Sequence, residues 1–342
     1  MENRIKGGWL TVNRACNLRC PWCYAKEEGF NPADNMDFEL AKKLLTIFSD
    51  LGAKKIILIG GEPTLYPHLI NTISFAKEKG LLPVLITNGR RLSDKVFFQN
   101  IVHAGISDIT ISLKAPDGVT YERFMPGAGE KVFFELKSAF RNAEDLGVGI
   151  NLSITLFKTT LSFLDQLVKT LKILNPNSIS IDMGNPVIGE NEITAVDLLD
   201  PNELAKSVEI LHSLLKPTGL NYGFYITIPL CLIDKGVLSE IINQDKILTT
   251  CHVAKGSGLV FTHDGHIILC NHFTSKPMGQ FGVDFVDTQG FQDFWESAQM
   301  CELRSCCSCY PHTKCKECDI WDKCGGGCLV KWLYWDPQAF IS

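Results

Sequence analysis

Three cysteines near the start of the chain, Cys16, Cys20 and Cys23, are separated by three and then two residues. Three thiolates on one tight loop can bind three irons of a [4Fe-4S] cube, which leaves the fourth iron without a protein ligand. Such an iron can bind a second molecule, so it is a chemical site as well as an electron store. A structural zinc site is the alternative, but zinc needs a fourth ligand close by and favours paired C-x2-C units. The spacing therefore favours an iron-sulfur cluster with one reactive iron.

A pair of glycines, Gly60 and Gly61, follows a short apolar run and precedes Glu62 and Pro63. Glycines let the backbone come close to a ligand, and a carboxylate or carbonyl beside them can accept hydrogen bonds from an ammonium group. A strand followed by two glycines is more often only a turn. The motif becomes informative because it lies one β-α unit after the cysteine loop.

Eleven further cysteines lie between residues 231 and 328. Cys251 precedes a Gly265-x4-Cys270 element, and four others are spaced C-x2-C-x5-C-x3-C: Cys315, Cys318, Cys324 and Cys328. Thiolates both bind iron and tune it electronically. A zinc ribbon is the alternative, since C-x2-C is also half of a zinc site. Eleven thiols exceed the eight that two fully ligated cubes require, so the number of clusters stays open.

The elements that must position these residues alternate through the first part of the chain. Strands are predicted over 9–13, 55–60, 83–87, 108–113, 149–155 and 178–183, and helices over 38–51, 69–79, 94–103, 130–146, 161–174 and 201–215. Six β-α units predict an α/β fold, a partial (β/α)6 TIM-like barrel, with the site at the carboxyl ends of its strands. Helical periodicity fades after residue 217. We therefore predict a barrel over 1–217 and a small cysteine-rich domain over 218–342.

Together, the cysteine loop and the Gly-Gly-Glu motif resemble the radical S-adenosylmethionine (SAM) superfamily, and the C-terminal spacings resemble its SPASM extension. The resemblance implies that SAM chelates the open iron and that reductive cleavage yields a 5′-deoxyadenosyl radical. It implies SAM contacts from residues near the cysteine loop and at the strand ends: Trp22, Tyr24, Gly60, Gly61, Glu62, Pro63, Asn88, Ser112, Asn185 and Val187. It also implies one or two auxiliary [4Fe-4S] clusters.

The resemblance further implies how the C-terminal cysteines divide. Cys251, Cys270 and Cys328 would bind a first auxiliary cluster, and three others a second: Cys315, Cys318 and Cys324. The family's final cysteine, expected after Cys328, is missing from this sequence. Cys231 is the candidate that completes the first cluster. Cys309, or else Cys301, Cys306 or Cys307, is the substitute for the second.

The resemblance favours a ribosomally made precursor peptide as substrate. The expected change is an oxidative C–C or thioether crosslink, or epimerisation with Cys231 as the hydrogen donor. Asn271 stands where sulfatase maturases have an aspartate base, which makes formylglycine formation a weaker alternative, while His272 is the candidate base near neutral pH. A SPASM enzyme acting on a sugar, a haem precursor or another cofactor precursor is the second alternative. A non-catalytic iron-sulfur carrier is the third.

The composition of the chain limits the classes of partner that the protein is expected to bind. A formal net charge of -5 gives no general attraction to nucleic acid, and no run reaches the ~20 apolar residues of a membrane span. With no signal peptide either, we expect a cytoplasmic protein that acts on no membrane. The expected partners are a precursor peptide and a flavodoxin- or ferredoxin-like electron donor. Because the first predicted strand begins at residue 9, a separate leader-binding protein is a further expected partner.

Overall fold

The computed structural model describes residues 5–26, 29–249, 251–306 and 309–341. Its strands are β1 Gly7–Thr11, β2 Lys55–Ile59, β3 Leu82–Thr87, β4 Asp108–Ser112, β5 Asn151–Leu156, β6 Ser178–Met183, β7 Val187–Ile188, β8 Ile193–Thr194, β9 Tyr222–Tyr225, β10 Ile247–Leu248, β11 Val260–Phe261, β12 His266–Ile268 and β13 Gly279–Gln280. Its helices are α1 Phe38–Asp50, α2 Leu69–Glu78, α3 Lys95–His103, α4 Gly118–Phe124, α5 Gly129–Leu146, α6 Lys158–Leu161, α7 Leu164–Leu174, α8 Pro201–Leu215, α9 Lys235–Asn243, α10 Thr288–Trp295, α11 Ala298–Cys306, α12 Trp321–Cys324 and α13 Leu329–Trp332.

One sheet of eleven strands organises the chain, in the order β10-β9-β6-β5-β4-β3-β2-β1-β11-β12-β13. All neighbouring pairs from β10 to β11 are parallel, and only β12 and β13 run antiparallel to their neighbours. Helices follow the first six strands in turn, which confirms the predicted α/β fold built from six β-α units. The strands are strongly apolar because helices cover the sheet, and Leu10, Phe48, Leu58 and Leu85 are fully buried in the core between them.

Local sequence signals explain where several helices begin. Asp37 and Asp94 accept backbone hydrogen bonds at the first turns of α1 and α3. Before α8, Asp200 and Glu203 form a reciprocal capping box around Pro201. The predicted helix over 161–174 is instead two helices, α6 and α7. Thr160 caps the start of α6, since its hydroxyl donates to the carbonyl of Thr155 and accepts from the amide of Phe157.

The sheet continues beyond residue 217. Strand β9 pairs with β6, β10 pairs with β9, and β11 pairs with β1 on the opposite side of the sheet. These strands have two to four residues, too few to show a period in the sequence. The division into 1–217 and 218–342 stays a prediction. Within the described ranges, each helix is too short or too polar to cross a bilayer.

Candidate active site

The cysteine loop leaves the sheet at the carboxyl end of β1, where parallel folds place their sites. The amide of Cys23 donates to the carbonyl of Cys20 at 3.1 Å, which makes the C-x2-C segment a tight turn. The Arg19 guanidinium donates to the carbonyls of Cys16 (2.7 Å) and Leu18 (2.8 Å). A side chain of the loop therefore satisfies the loop's own carbonyls and holds the segment between the first two cysteines.

Gly60 and Gly61 pack directly against the start of this loop. Gly61 donates to the carbonyl of Asn13 at 2.9 Å. A Cβ at Gly60 would lie 2.8 Å from that carbonyl oxygen, and a Cβ at Gly61 would lie 2.5 Å from that of Arg14 and closer still to that of Ala15. No side chain fits in either place. The two glycines therefore allow the chain after β2 to lie directly against the backbone segment that leads to the cysteines.

The Glu62 carboxylate is 1% exposed and accepts four hydrogen bonds from the protein. Oε1 accepts from the amide and hydroxyl of Thr64 (3.1 and 2.6 Å) and from the hydroxyl of Thr87 (2.5 Å), and Oε2 accepts from the amide of Asn88 (2.8 Å). Glu62 thereby ties β2 to the end of β3 and caps the short helical turn that starts at Pro63. The carboxylate holds the frame of the site together.

Asn88 and Arg90 extend this frame back to the cysteine loop. The Asn88 amide group donates to Oδ1 of Asn17 at 2.7 Å, and Arg90 donates to the carbonyl of Asn17 at 2.8 Å. Arg90 is fixed in turn by Glu135 of α5, 2.6 Å away. Asn88 is a predicted site residue, whereas Arg90 and Glu135 are not, because a surface arginine and a helix glutamate carry no sequence signal of their pairing. Both hold the loop between Cys16 and Cys20.

We expect Glu62→Gln to destabilise the chain by about 1.5–3 kcal/mol, because an amide NH2 would face one of the donors that now bonds to a charged oxygen. The midpoint of urea unfolding measures this. Glu39→Gln is the matched control, since the Glu39 side chain is exposed and pairs only with Lys42 of its own helix. Equal midpoints for the two variants would contradict the role given to Glu62.

The three thiols of the loop are suited to a cationic cluster. Burial raises the pKa of Cys16 to about 12 and that of Cys20 to about 11, and it also raises the pKa of Cys23. Repulsion between the thiolates adds to the rise. Iron in a cluster supplies the positive charge that such thiolates need. The donor chemistry therefore fits a cube held by Cys16, Cys20 and Cys23.

The described residues hold no group of three or more Cys, His, Asp or Glu side chains gathered for a single metal ion. A cube has a different requirement, because each thiolate binds its own iron and the sulfurs do not converge on one atom.

Four predicted site residues meet beside the third cysteine. Trp22, Cys23, Asn185 and Val187 line one cavity together with Phe157, whose ring stacks on Trp22 at 5.1 Å. On its other side Trp22 lines a second cavity with Lys114. Tyr24 is half-buried, burial raises its pKa, and its ring lies 6.5 Å from that of His272. Ser112 ends β4 next to Ser153 of β5.

Two polar residues near this point were not predicted. Asp182 of β6 accepts hydrogen bonds from the hydroxyls of Ser153 (2.6 Å) and Ser180 (2.9 Å), and burial raises its pKa. The charge of Lys114 acts on Asp182 and on the thiols of Cys20 and Cys23. A single aspartate in a strand and a single lysine after one give no sequence signal. Together they place a carboxyl group and an amino group beside the cysteine loop.

The C-terminal cysteines fall into two neighbourhoods. Tyr225, at the end of β9, has its pKa raised by burial and by the charges of Cys251, Cys328 and Cys270. The second neighbourhood centres on Cys324, whose pKa is raised by burial and by the charges of Cys315 and Cys318.

Cys231, which the sequence suggests for the first cluster, lies beside the second group, since the charges of Cys324, Cys315 and Cys318 act on its thiol. Its neighbour Leu230 donates its amide to Sγ of Cys324 at 3.3 Å. The sequence could not show this, since the loop after β9 approaches the C-terminal segment only in the folded chain. Cys301 and Cys309 are exposed. Cys307 and the side chain of Cys306 lie outside the described residues.

His272 also departs from expectation. Burial and the charge of Lys331 lower its pKa to about 4, below the near-neutral value that the residue type suggests, and its role as a base stays a prediction. Lys331 itself was not predicted. Its side chain is fully buried, its Nζ donates to the carbonyl of Gly184 at 2.6 Å, and burial lowers its pKa to about 7. Lys331 lies in the short apolar segment Leu329–Trp332, and such a segment carries no sequence signal of a buried lysine.

Comparison with known proteins gives a match to one superfamily over part of the chain, and a shared fold. Residues 10–171 match the model of the Radical SAM superfamily. Over 92% of its length the chain is 21% identical to the tungsten-containing aldehyde ferredoxin oxidoreductase cofactor-modifying protein of Pyrococcus furiosus, and it covers 88% of that protein.

Two solved structures share the fold over nearly the whole chain. SuiB of Streptococcus suis bound to its precursor peptide SuiA superposes with a TM-score of 0.70 and 17% identity, covering 99% of this chain and 75% of that one. The enzyme anSMEcpe with bound AdoMet and Cp18Cys peptide superposes with a TM-score of 0.70 and 18% identity, covering 94% and 88%.

Proposed function

We propose that this chain, whose residues 10–171 match the model of the Radical SAM superfamily, is an enzyme that modifies a ribosomally made peptide by abstracting a hydrogen atom. The observation that carries the proposal is the meeting of Trp22, Cys23, Asn185 and Val187 at one cavity beside the cysteine loop. When bound, the cluster with SAM supplies an electron that cleaves SAM to a 5′-deoxyadenosyl radical. A flavodoxin- or ferredoxin-like protein is the proposed source of that electron.

The residues of the chain have separate tasks in this proposal. Cys16, Cys20 and Cys23 hold the cluster. Trp22, stacked on Phe157, closes one side of the SAM cavity against water, and Asn185 and Val187 form the opposite wall. Gly60 and Gly61 bring the backbone of β2 against the loop so that the cluster and SAM are held in fixed positions.

We further propose that residues 218–342 form a SPASM domain with auxiliary clusters. The gathering of Cys251, Cys270 and Cys328 around Tyr225 supports a first cluster. Lys331 lies against it, because the charge of Cys328 acts on this buried ammonium. In its protonated form a lysine beside a cluster favours the reduced state of that cluster, so this group is suited to accept an electron from a substrate radical. That property supports an oxidative crosslink over epimerisation.

The shared fold supports a peptide substrate, since the structures of SuiB and anSMEcpe contain bound peptides. Asp182 and Lys114 lie where a substrate at the strand ends would meet one acceptor and one cation. A second candidate substrate is a small cofactor precursor. It is favoured by the similarity along almost the whole chain to a cofactor-modifying protein.

Mass spectrometry of the anaerobically reconstituted enzyme tests the substrate class. With SAM, reductant and the short peptides encoded beside its gene, we expect a peptide product two hydrogens lighter than its precursor. An unchanged mass in light water with one deuterium gained in heavy water would show epimerisation instead. If 5′-deoxyadenosine forms and no peptide changes, the peptide proposal fails, and cofactor precursors become the substrates to test.

A further inference from the structure

The loop that follows β9 packs directly on the last cysteines of the chain. Leu230 donates its amide to Sγ of Cys324 at 3.3 Å, and the amide of Cys328 donates to the carbonyl of Thr227 at 2.9 Å. Gly327 has φ +85°, and a Cβ there would lie 3.0 Å from the same Thr227 carbonyl. The loop and the C-terminal segment therefore fit each other at backbone distance, with Cys231 at the point of contact.

The sulfurs of this region share one electrostatic neighbourhood. The charges of Cys324, Cys315 and Cys318 act on the Cys231 thiol, so the four sulfurs lie near one another. Cys315 and Cys324 are buried, whereas Cys231 is exposed at the edge of the group. Four thiols are thus brought together from two parts of the chain that lie more than eighty residues apart in sequence.

We infer that Cys231 is the fourth ligand of the second auxiliary cluster, with Cys315, Cys318 and Cys324. The inference rests on the proposed function, in which the C-terminal domain holds auxiliary clusters. A cube with four protein thiolates has no open iron, so this cluster transfers electrons and does not bind substrate.

Cys309 is the competing ligand, since it lies only six residues before Cys315. Cys309 is exposed, as Cys231 is, but its Sγ lies 3.8 Å from the carbonyl of Ser305, four residues earlier in its own segment. The contact between the 226–231 loop and Cys324 has no counterpart in the described contacts of Cys309. The structure therefore favours the more distant cysteine in sequence.

Iron and sulfide analysis with EPR of the full-length reconstituted protein tests the inference. We expect Cys231→Ala to lose about four irons per chain, or to show the oxidised three-iron signal of a cube that has lost its unprotected iron. Cys231→Ser should retain the cluster with an altered EPR spectrum, because a serine oxygen can replace the sulfur. Cys309→Ala and Cys301→Ala are the matched controls and should resemble the unaltered protein.

The variant Cys318→Ala distinguishes a wrong assignment of Cys231 from the absence of the second auxiliary cluster. If it loses iron while Cys231→Ala matches the unaltered protein, the cluster exists and Cys231 is not its ligand. Loss of iron in Cys309→Ala with none in Cys231→Ala would assign the position to Cys309. If Cys318→Ala also keeps all its iron, the proposed second cluster is itself absent.

Discussion

Replacement of Cys20 by alanine is expected to abolish 5′-deoxyadenosine formation. Two thiolates do not hold the cube that SAM must bind, because one of its three protein-bound irons would lose its ligand. We expect the rate to fall by more than ~10³-fold, a small part of a typical enzymatic acceleration. Chromatography of 5′-deoxyadenosine under anaerobic, reducing conditions measures it.

Cys301→Ala is the control, because Cys301 is exposed on α11 and is a ligand of neither proposed auxiliary cluster. It should cleave SAM at the unaltered rate. Auxiliary iron should remain in the Cys20 variant, so its iron content should fall by about four atoms per chain and no further. SAM cleavage that survives in Cys20→Ala would refute the assignment of the first cluster.

Gly61→Ala is expected to have the second largest effect. The added methyl group would overlap the carbonyls of Arg14 and Ala15, and backbone atoms cannot move aside as a flexible side chain can. Either β2 or the cysteine loop must shift, at a cost of ~3 kcal/mol. Because Cys16 directly follows Ala15, the shift displaces the first ligand. We expect both a lower urea midpoint and loss of most SAM cleavage.

Gly223→Ala is the matched control for this change. Gly223 also lies in a parallel strand, β9, but a Cβ there would make only ordinary contact, 3.6 Å from the carbonyl of Lys246. Its stability and activity should stay close to those of the unaltered protein. If Gly61→Ala bound iron and cleaved SAM normally, the glycine motif would have to be explained by ligand contact alone.

The sequence predicts the barrel well because its signals are local. The alternation of apolar strands with capped amphipathic helices gives β6 and α8 with their observed bounds and the other five β-α units within a few residues. The cysteine spacing needs no tertiary information either, since all three ligands lie on one turn. The Gly-Gly-Glu motif can be recognised from the sequence because it lies one β-α unit after the cysteine loop.

Tertiary contacts account for what the sequence does not reveal. The pairing of Arg90 with Glu135, the burial of Lys331 and the approach of the Cys231 loop to Cys324 all join segments distant in sequence. The lowered pKa of His272 likewise depends on burial and on Lys331. Residue type alone suggests a near-neutral pKa, and only the folded environment lowers it.

The parallel pairing of β11 with β1 determines how separable the two halves of the chain are. Strand β11 lies between Cys251 and Cys270, and its Val260 and Phe261 pair with Trp9 and Leu10, a few residues before Cys16. A chain cut at residue 217 would leave the backbone groups of β1 unpaired along that side, and those of β6 unpaired on the other. Both would then be exposed edge strands, which invite aggregation. Strands from the cysteine-rich part of the chain therefore pair with the two edges of the sheet that residues 1–217 form. The two parts cannot be exchanged between enzymes as independent modules.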